Sequence, residues 1–356
     1  MTSKKRVHIR PGWSFPDDAG NTRDPQLFTL LNGINQTGKL TAAARQADIS
    51  YRHAWNLVNN AGHFFGSKLV NLEKGRGAQL TALGEKLVWA EQRVAARLKP
   101  QMENLASELN IEIHRQMADS KPLLRLHASH GYAVALLPEF ADSFQLDLQY
   151  KSASDALASL NRNTCDIAGI HIPAEIHIES LLDNYNRYLK PRTHKVIRFI
   201  TRQQGLMIQT ANPKAISGLE DLGRSDVKFI NRQKDSGTRA LLDKLLSDKQ
   251  LSSAQVDGYE EQEFTHSAVA AYVAAGMADV GFGVEAAARQ FGLGFIPVTT
   301  EHYLMLCHQK ILKRAAVQAF LHTIRSDAFL HKVEALAGYS TQQCGEIESL
   351  GEGLMR

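Results

Sequence analysis

The chain has 356 residues, 44% apolar and 22% charged, with a net charge of +4. That balance is ordinary for two or three soluble globular domains, and no run approaches the ~18 apolar residues of a membrane span. The N-terminal "MTSKKRVHIRPGWSF" has no apolar core of a signal peptide, and Cys165, Cys307 and Cys344 form no C-x-x-C pair, so the expectation is a reducing, cytoplasmic setting.

The charge is unevenly spread. Residues 1–120 hold 16 Lys+Arg and 11 Asp+Glu, a balance of +5; the remainder holds 41 − 16 = 25 and 37 − 11 = 26, a balance of −1. A polyanionic partner therefore suits the first third of the chain. In chain order, Val7 and Ile9 alternate with polar residues and predict an N-terminal strand joining a later hairpin. Asp24-Pro25 reads as a helix start, Leu27, Leu30, Leu31 and Ile34 as its apolar stripe, and Gly38 as its end. Thr41 is the expected N-cap of a short helix whose Ala42, Ala43 and Ala44 permit close packing. After the turn "ADIS", Ser50 is expected to cap a third helix, with Trp55, Leu57 and Val58 on its apolar side.

Two helices joined by a short turn predict a helix-turn-helix, whose second helix enters the major groove. Thr41, Ser50, Tyr51, Arg52, His53 and Asn56 are the candidate DNA contacts there. "KLVNLEKGRGAQLT" predicts a β-hairpin wing with Lys74 and Arg76 at its tip, placed to reach phosphates or the minor groove. Thr81 opens a long helix to about Met117, interrupted by Pro100, whose stripe of Leu83, Leu87, Val94, Leu98, Met102, Leu105 and Leu109 is to be buried by a second copy of the chain or, alternatively, by the chain's own C-terminal domain.

"SYRHAWNLV", "KGRGAQLTALGEKL" and the helix after them resemble the DNA-binding domain of the molybdate-responsive, ModE-type regulators, which share a winged helix and dimer helix with LysR-type regulators. The resemblance covers about residues 20–115. It implies a double-stranded DNA operator as partner and a homodimer, with tetramers open.

Residues 116–122 read as a linker. Beyond them strands alternate with helices, as in α/β layers with mostly parallel sheets. "TCDIAGIHIP", "FINRQKDSGTR", "THSAVAAYVAAGMADVGFG" and "FIPVTTEHY" resemble the periplasmic-binding-protein-like domain found fused to helix-turn-helix regulators. The expected fold class is thus multidomain. An α-rich winged helix-turn-helix (1–80) and a dimerisation helix (81–119) precede a two-lobed α/β type II binding-protein-like domain (120–356). Its lobe I is expected over about 121–200 and 300–356, and lobe II over about 201–299.

Open α/β sheets bind ligands beyond their strand ends, which selects Ser129 and His130, Ser152 and Ser154, His171, and the turn Ser236, Gly237, Thr238 and Arg239. That turn is the sharpest candidate: a helix start with two hydroxyls and a guanidinium suits an anion, although Asp235 beside it argues the other way. Thr265 and His266 form a weaker site of the same kind, and Asn231, Arg202 and Tyr303 are placed at the crossover. No metal-ligand motif, nucleophile elbow or Walker loop is present, so neither a bound metal, a cofactor nor catalysis is expected. The resemblance implies a small-anion effector such as molybdate or tungstate. Classical ModE-type regulators carry small β-barrel modules for molybdate instead, so other small anions and organic effectors stay open, as do an α/β enzyme and a DNA-binding architectural protein without ligand.

Overall fold

The computed structural model describes residues 6–13, 15, 26–73, 77–116, 121–174 and 185–354. They form two compact units, residues 10–98 and residues 99–356 with the N-terminal segment through Ile9.

In the smaller unit, α1 (Gln26–Thr37), α2 (Leu40–Gln46) and α3 (Tyr51–Phe64) pack around Leu27, Leu30, Leu31, Ile34, Ala43, Ala44, Ala54, Leu57, Val58 and Ala61. The small residues have a geometric reason. A Cβ built on Gly33 of α1 would lie 2.9 Å from the Cα of Ala43, so α1 and α2 approach too closely for a larger pair. Gly38, at φ +65°, ends α1 in a conformation that side chains rarely adopt. Ser50 caps α3 by accepting a bond from the His53 N–H at 3.1 Å, as the sequence suggested.

Three expectations change here. α2 begins at Leu40 after an extended Lys39, so Thr41 is not its cap but an exposed first-turn residue. Trp55 is not on the buried side of α3; it is 47% exposed. Residues 6–13 form no strand: Val7 instead trades two hydrogen bonds with the side chain of Asn110, at 2.8 and 3.0 Å. Strands β1 (Val70–Glu73) and β2 (Gly77–Leu80) make the expected antiparallel hairpin. Asp24-Pro25 and the hairpin tip with Lys74 and Arg76 lie outside the described residues. Thr81 accepts a bond from the Gly84 N–H and opens α4 (Ala82–Gln116), which continues through Pro100; the boundary between the two units falls inside this helix.

The larger unit is built on one sheet in the order β4-β3-β5-β10-β6-β9-β7-β8. Its strands are β3 (Leu123–Ala128), β4 (Gln145–Tyr150), β5 (Ile167–Pro173), β6 (His194–Ile208), β7 (Phe229–Arg232), β8 (Gln262–Glu263), β9 (Val280–Val284) and β10 (Gly294–His308). Helices α5 (Tyr132–Phe140) and α6 (Ala153–Asn161) follow β3 and β4; α7 (Gly237–Asp248), α8 (His266–Ala274) and α9 (Glu285–Gln290) follow β7, β8 and β9. The flanking strands are parallel, but β6 and β10, 15 residues each, pair antiparallel with one another along their length. They are long enough to serve both lobes, so the sheet is mixed rather than mostly parallel.

Alternation along β10 sends Tyr303, Met305 and Cys307 into one core of lobe I and Leu304 and Leu306 into the other, beneath α6. A third core around Phe229, Leu242, Val280 and Phe282 fills lobe II. The chain returns to lobe I as α10 (Ala315–Ile324) and α11 (Asp327–Glu334). It then adds β11 (Tyr339–Ser340) and β12 (Ile347–Ser349) against β6, and ends its described part in α12 (Leu350–Leu354).

Candidate ligand cleft and nucleic-acid interface

Where β6 and β10 pass from lobe to lobe, Arg202 and Glu301 stand opposite in register. Arg202 donates to Oε2 of Glu301 from Nε at 2.8 Å and approaches it from Nη2 at 2.7 Å; Gln204 donates to the same oxygen at 2.8 Å. Both charged residues are at least 97% buried. Burial opposes the charge on Glu301, yet the Arg202 guanidinium, with the Gln204 hydrogen bond, holds its carboxyl below the usual range. Nη1 of Arg202 makes no hydrogen bond of normal geometry among the described residues. It lies 3.3 Å from where a Cβ on Gly131 would sit, and Gly131 is the residue that opens α5.

Tyr303 organises this corner. Its hydroxyl donates to the Ser129 carbonyl at 2.9 Å, and its ring lies 3.9 Å from that of His171 and 5.7 Å from the Arg202 guanidinium. Arg232 enters from lobe II at the end of β7, bonded to the Phe264 carbonyl and the Gln233 side chain. It forms no ion pair among the described residues; burial and then Arg202 push its guanidinium down to about 9.

Three histidines complete the cluster. Burial, then Arg202, pushes His171 down to about 3. Burial drives His266 well below its ordinary value, with Arg232, Arg202, His171 and His130 adding to the effect. Burial also lowers His130, against the pull of Glu103. Burial thus disfavours the charged form of all three, and one ring nitrogen of each has no hydrogen-bond partner of normal geometry among the described residues.

The expected site residues divide accordingly. Ser129, His130, His171, His266 and Tyr303 come together at the cleft. Ser152 and Thr265 are spent as helix caps, bonding the Asp155 and Ala268 N–H groups, and Ser154 is half-buried in the first turn of α6. Asn231 bonds the Tyr259 carbonyl and accepts from the Arg232 N–H, so it holds the guanidinium's backbone rather than facing a ligand.

Arg239 is a correction. Its guanidinium is buried within lobe II, where it bonds Asp243 and the Arg232 carbonyl and stacks 3.8 Å from the Tyr259 ring. Ser236 caps α7, Gly237 opens it, Thr238 is buried in its first turn and Asp235 is exposed. The sequence reading missed Arg232, Glu301, Gln204 and Glu103. Arg232 could have been found as the basic residue closing "FINR", immediately before the turn.

The lobes touch through Tyr132, whose hydroxyl on α5 is 2.8 Å from the Ser267 Oγ on α8 and also bonds Gln290 of α9. At the edge of lobe I, α4 lies along β4. Asn104 exchanges two bonds with the Tyr150 backbone (2.6 and 3.2 Å), Ser107 bonds Asp147 and the Leu148 N–H, and Glu103 comes within 3.6 Å of the His130 Nε2.

In the smaller unit, α3 exposes Tyr51, Arg52, His53, Trp55 and Asn56 on the face opposite its buried stripe. That helix carries no acidic side chain.

The smaller unit thus carries three helices and a β-hairpin, and the larger a two-lobed α/β fold with buried arginines, a glutamate and histidines where β6 and β10 pass between the lobes. The chain belongs to the PBP superfamily, whose domain matches residues 136–325. It is 31% identical over 204 residues to the uncharacterised protein YvgK of Bacillus subtilis (strain 168), covering 56% of this chain and 64% of that protein. It is 36% identical over 69 residues to the transcriptional regulator ModE of Yersinia pestis, covering 18% of this chain and 26% of that one. The match thus spans under two thirds of the first relative and about a quarter of the second. A structure of a cysteine-to-serine mutant of OxyR from Corynebacterium glutamicum is similar at 14% identity and a TM-score of 0.45, over 91% of this chain and 95% of that one. No helix among the described residues is long and apolar enough to cross a membrane.

Proposed function

We propose that the protein is a cytoplasmic transcriptional regulator that binds operator DNA through α3 and the wing and senses a small oxyanion, molybdate or tungstate foremost, in the interlobe cleft. One observation carries the anion: Arg232 is buried and forms no ion pair among the described residues, beside a second guanidinium whose Nη1 makes no hydrogen bond of normal geometry among them and lies 3.3 Å from a Cβ placed on Gly131, at the start of α5. A buried, unmatched charge is costly, and an anion placed between the two arginines removes that cost. Neutral histidines add N–H donors without adding charge, which suits an oxyanion better than an apolar ligand. The ModE likeness in the DNA-binding segment supports molybdate and tungstate as the first anions to try.

The α4–β4 bonds and the approach of Glu103 to His130 give ligand state a route to the helix that leads to the DNA-binding unit. We read α4 as the dimer helix as well. Switching requires that the anion favour one lobe arrangement over another. Calorimetry of the full chain with molybdate, tungstate, sulfate, phosphate and formate tests the proposal, alongside the same titrations of Arg232→Gln. Binding of at least one anion, lost in the variant, is expected. No binding of any of the five, or binding indifferent to Arg232, would refute the oxyanion site. Sequence-specific DNA binding that changes with the bound anion tests the regulator.

A further inference from the structure

We infer that Trp55 reads thymine methyl groups in the major groove. The inference rests on the proposed DNA-binding role of α3 and adds a determinant of base choice to it.

The helix leaves its indole outside the core. Ala54, Leu57, Val58 and Ala61 complete the stripe of α3 that faces α1 and α2, while Trp55 stays 47% and Tyr51 53% exposed. No ring among the described residues packs on Trp55. Trp55 lies four residues after Tyr51 and three after Arg52, so the three side chains are surface neighbours on one turn. Asn56 adjoins them on the same exposed face. The result is an apolar ridge of two aromatic rings flanked by an arginine and an asparagine.

The charge around that ridge selects its occupant. Residues 26–72 hold Lys39, Arg45, Arg52 and Lys68 against Asp48 alone, a balance of 4 − 1 = +3, and Ser50 caps the helix at the end that enters a groove. A polyanion complements such a surface. Of the groups a DNA groove displays, the thymine C5-methyl is the apolar one, and it is read by apolar contact, whereas arginine and asparagine read the donors and acceptors of guanine and adenine. A helix bearing Arg52, Asn56 and Trp55 therefore has a reader for each kind of group.

The test uses the full chain. Sites are first selected from random duplex DNA, and affinity is then measured by fluorescence anisotropy for the selected site and for copies in which deoxyuridine replaces each thymidine in turn. Uracil keeps the base pair and removes one methyl. The wild-type chain should lose about fourfold in affinity at one or two positions in each half-site, the worth of one buried methyl. Trp55→Ala should bind the thymidine site more weakly and show no further loss on the uracil sites; Trp55→Phe should retain part of the discrimination. The indole is exposed, so both variants should keep the thermal midpoint of the wild type. If Trp55→Ala binds as tightly as the wild type, or still separates thymine from uracil by the same factor, the inference is overturned. If the wild type selects DNA but shows no uracil effect at any position, this inference alone falls. If it selects no DNA, the DNA-binding reading fails and takes the inference with it.

Discussion

Arg202 and Glu301 sit opposite each other on the two long strands, at least 97% buried, with contacts of 2.7 and 2.8 Å onto one carboxylate oxygen. Arg202→Gln removes the cation and strands Glu301 among Gln204 and His171. Breaking a buried pair from one side costs about 3–5 kcal/mol, because the remaining charge keeps its desolvation penalty. Glu301→Gln should cost a similar amount for the opposite reason: it leaves the buried Arg202 guanidinium without its carboxylate. The Arg202→Gln/Glu301→Gln double variant replaces the pair by two amides that can bond one another, and should return to within about 2 kcal/mol of the wild type. Anion separates the two single variants. A ligand at 100 times its Kd adds about 2.7 kcal/mol to the folded state. Saturating molybdate or tungstate should restore most of that stability to Glu301→Gln and little to Arg202→Gln, whose cleft has lost a donor and kept a carboxylate. Urea unfolding at pH 7, with and without anion, reads all four proteins at constant m. If Arg202→Gln is as stable as the wild type, or if anion rescues both single variants equally, the account of the cleft is wrong.

The neutral histidines make an acid-sensitive domain. His171 titrates at about 3 when folded and near 6.5 when unfolded, so its contribution is full above pH 6.5 and is lost as pH falls toward 3, at about 1.4 kcal/mol per pH unit. His127, pushed to about 4 mainly by burial, acts in the same direction. Urea midpoints at pH 7, 6 and 5 should fall accordingly, with a shallower fall for His171→Gln; equal slopes for the two proteins would contradict the assignment. Tyr132→Phe deletes the hydroxyl that meets Ser267 and Gln290, and at about 1 kcal/mol should weaken anion binding about fivefold by calorimetry. Unchanged affinity would mean that the bound state does not use this contact between the lobes. Asn104→Ala removes both bonds to the Tyr150 backbone and should raise hydrogen exchange at the Tyr150 amide at least tenfold, while an unchanged rate would mean that α4 is held on β4 by other contacts.

Local rules made the smaller, N-terminal unit largely legible. Ser50 as a cap, Gly38 as a stop, the Leu27–Ile34 stripe and the glycine-flanked hairpin each depend on a few consecutive residues and on fixed periods, which sequence displays directly. Errors came where neighbours distant in the chain decide. Trp55 matched an apolar period, but Ala54, Leu57, Val58 and Ala61 already fill the contact with α1 and α2, and no room remains for an indole. Thr41 resembled a cap, but α2 begins one residue earlier, at Leu40 after an extended Lys39.

In the ligand domain the order of strands and helices and the two lobes followed from the alternation of apolar runs and from the resemblance. The cleft's charges did not. Arg202 and Glu301 are 99 residues apart, and Arg232 meets them only after β7 is laid beside β9 and β9 beside β6. A strand's sequence gives the face on which a side chain stands. Which strand lies opposite, and hence whether a guanidinium finds a carboxylate, a neighbouring arginine or a helix start, is settled by sheet order. That is why "DSGTR" looked like the anion grip in the sequence, while the folded chain commits Arg239 to Asp243 and Tyr259 and leaves Arg232 unpaired in the cleft.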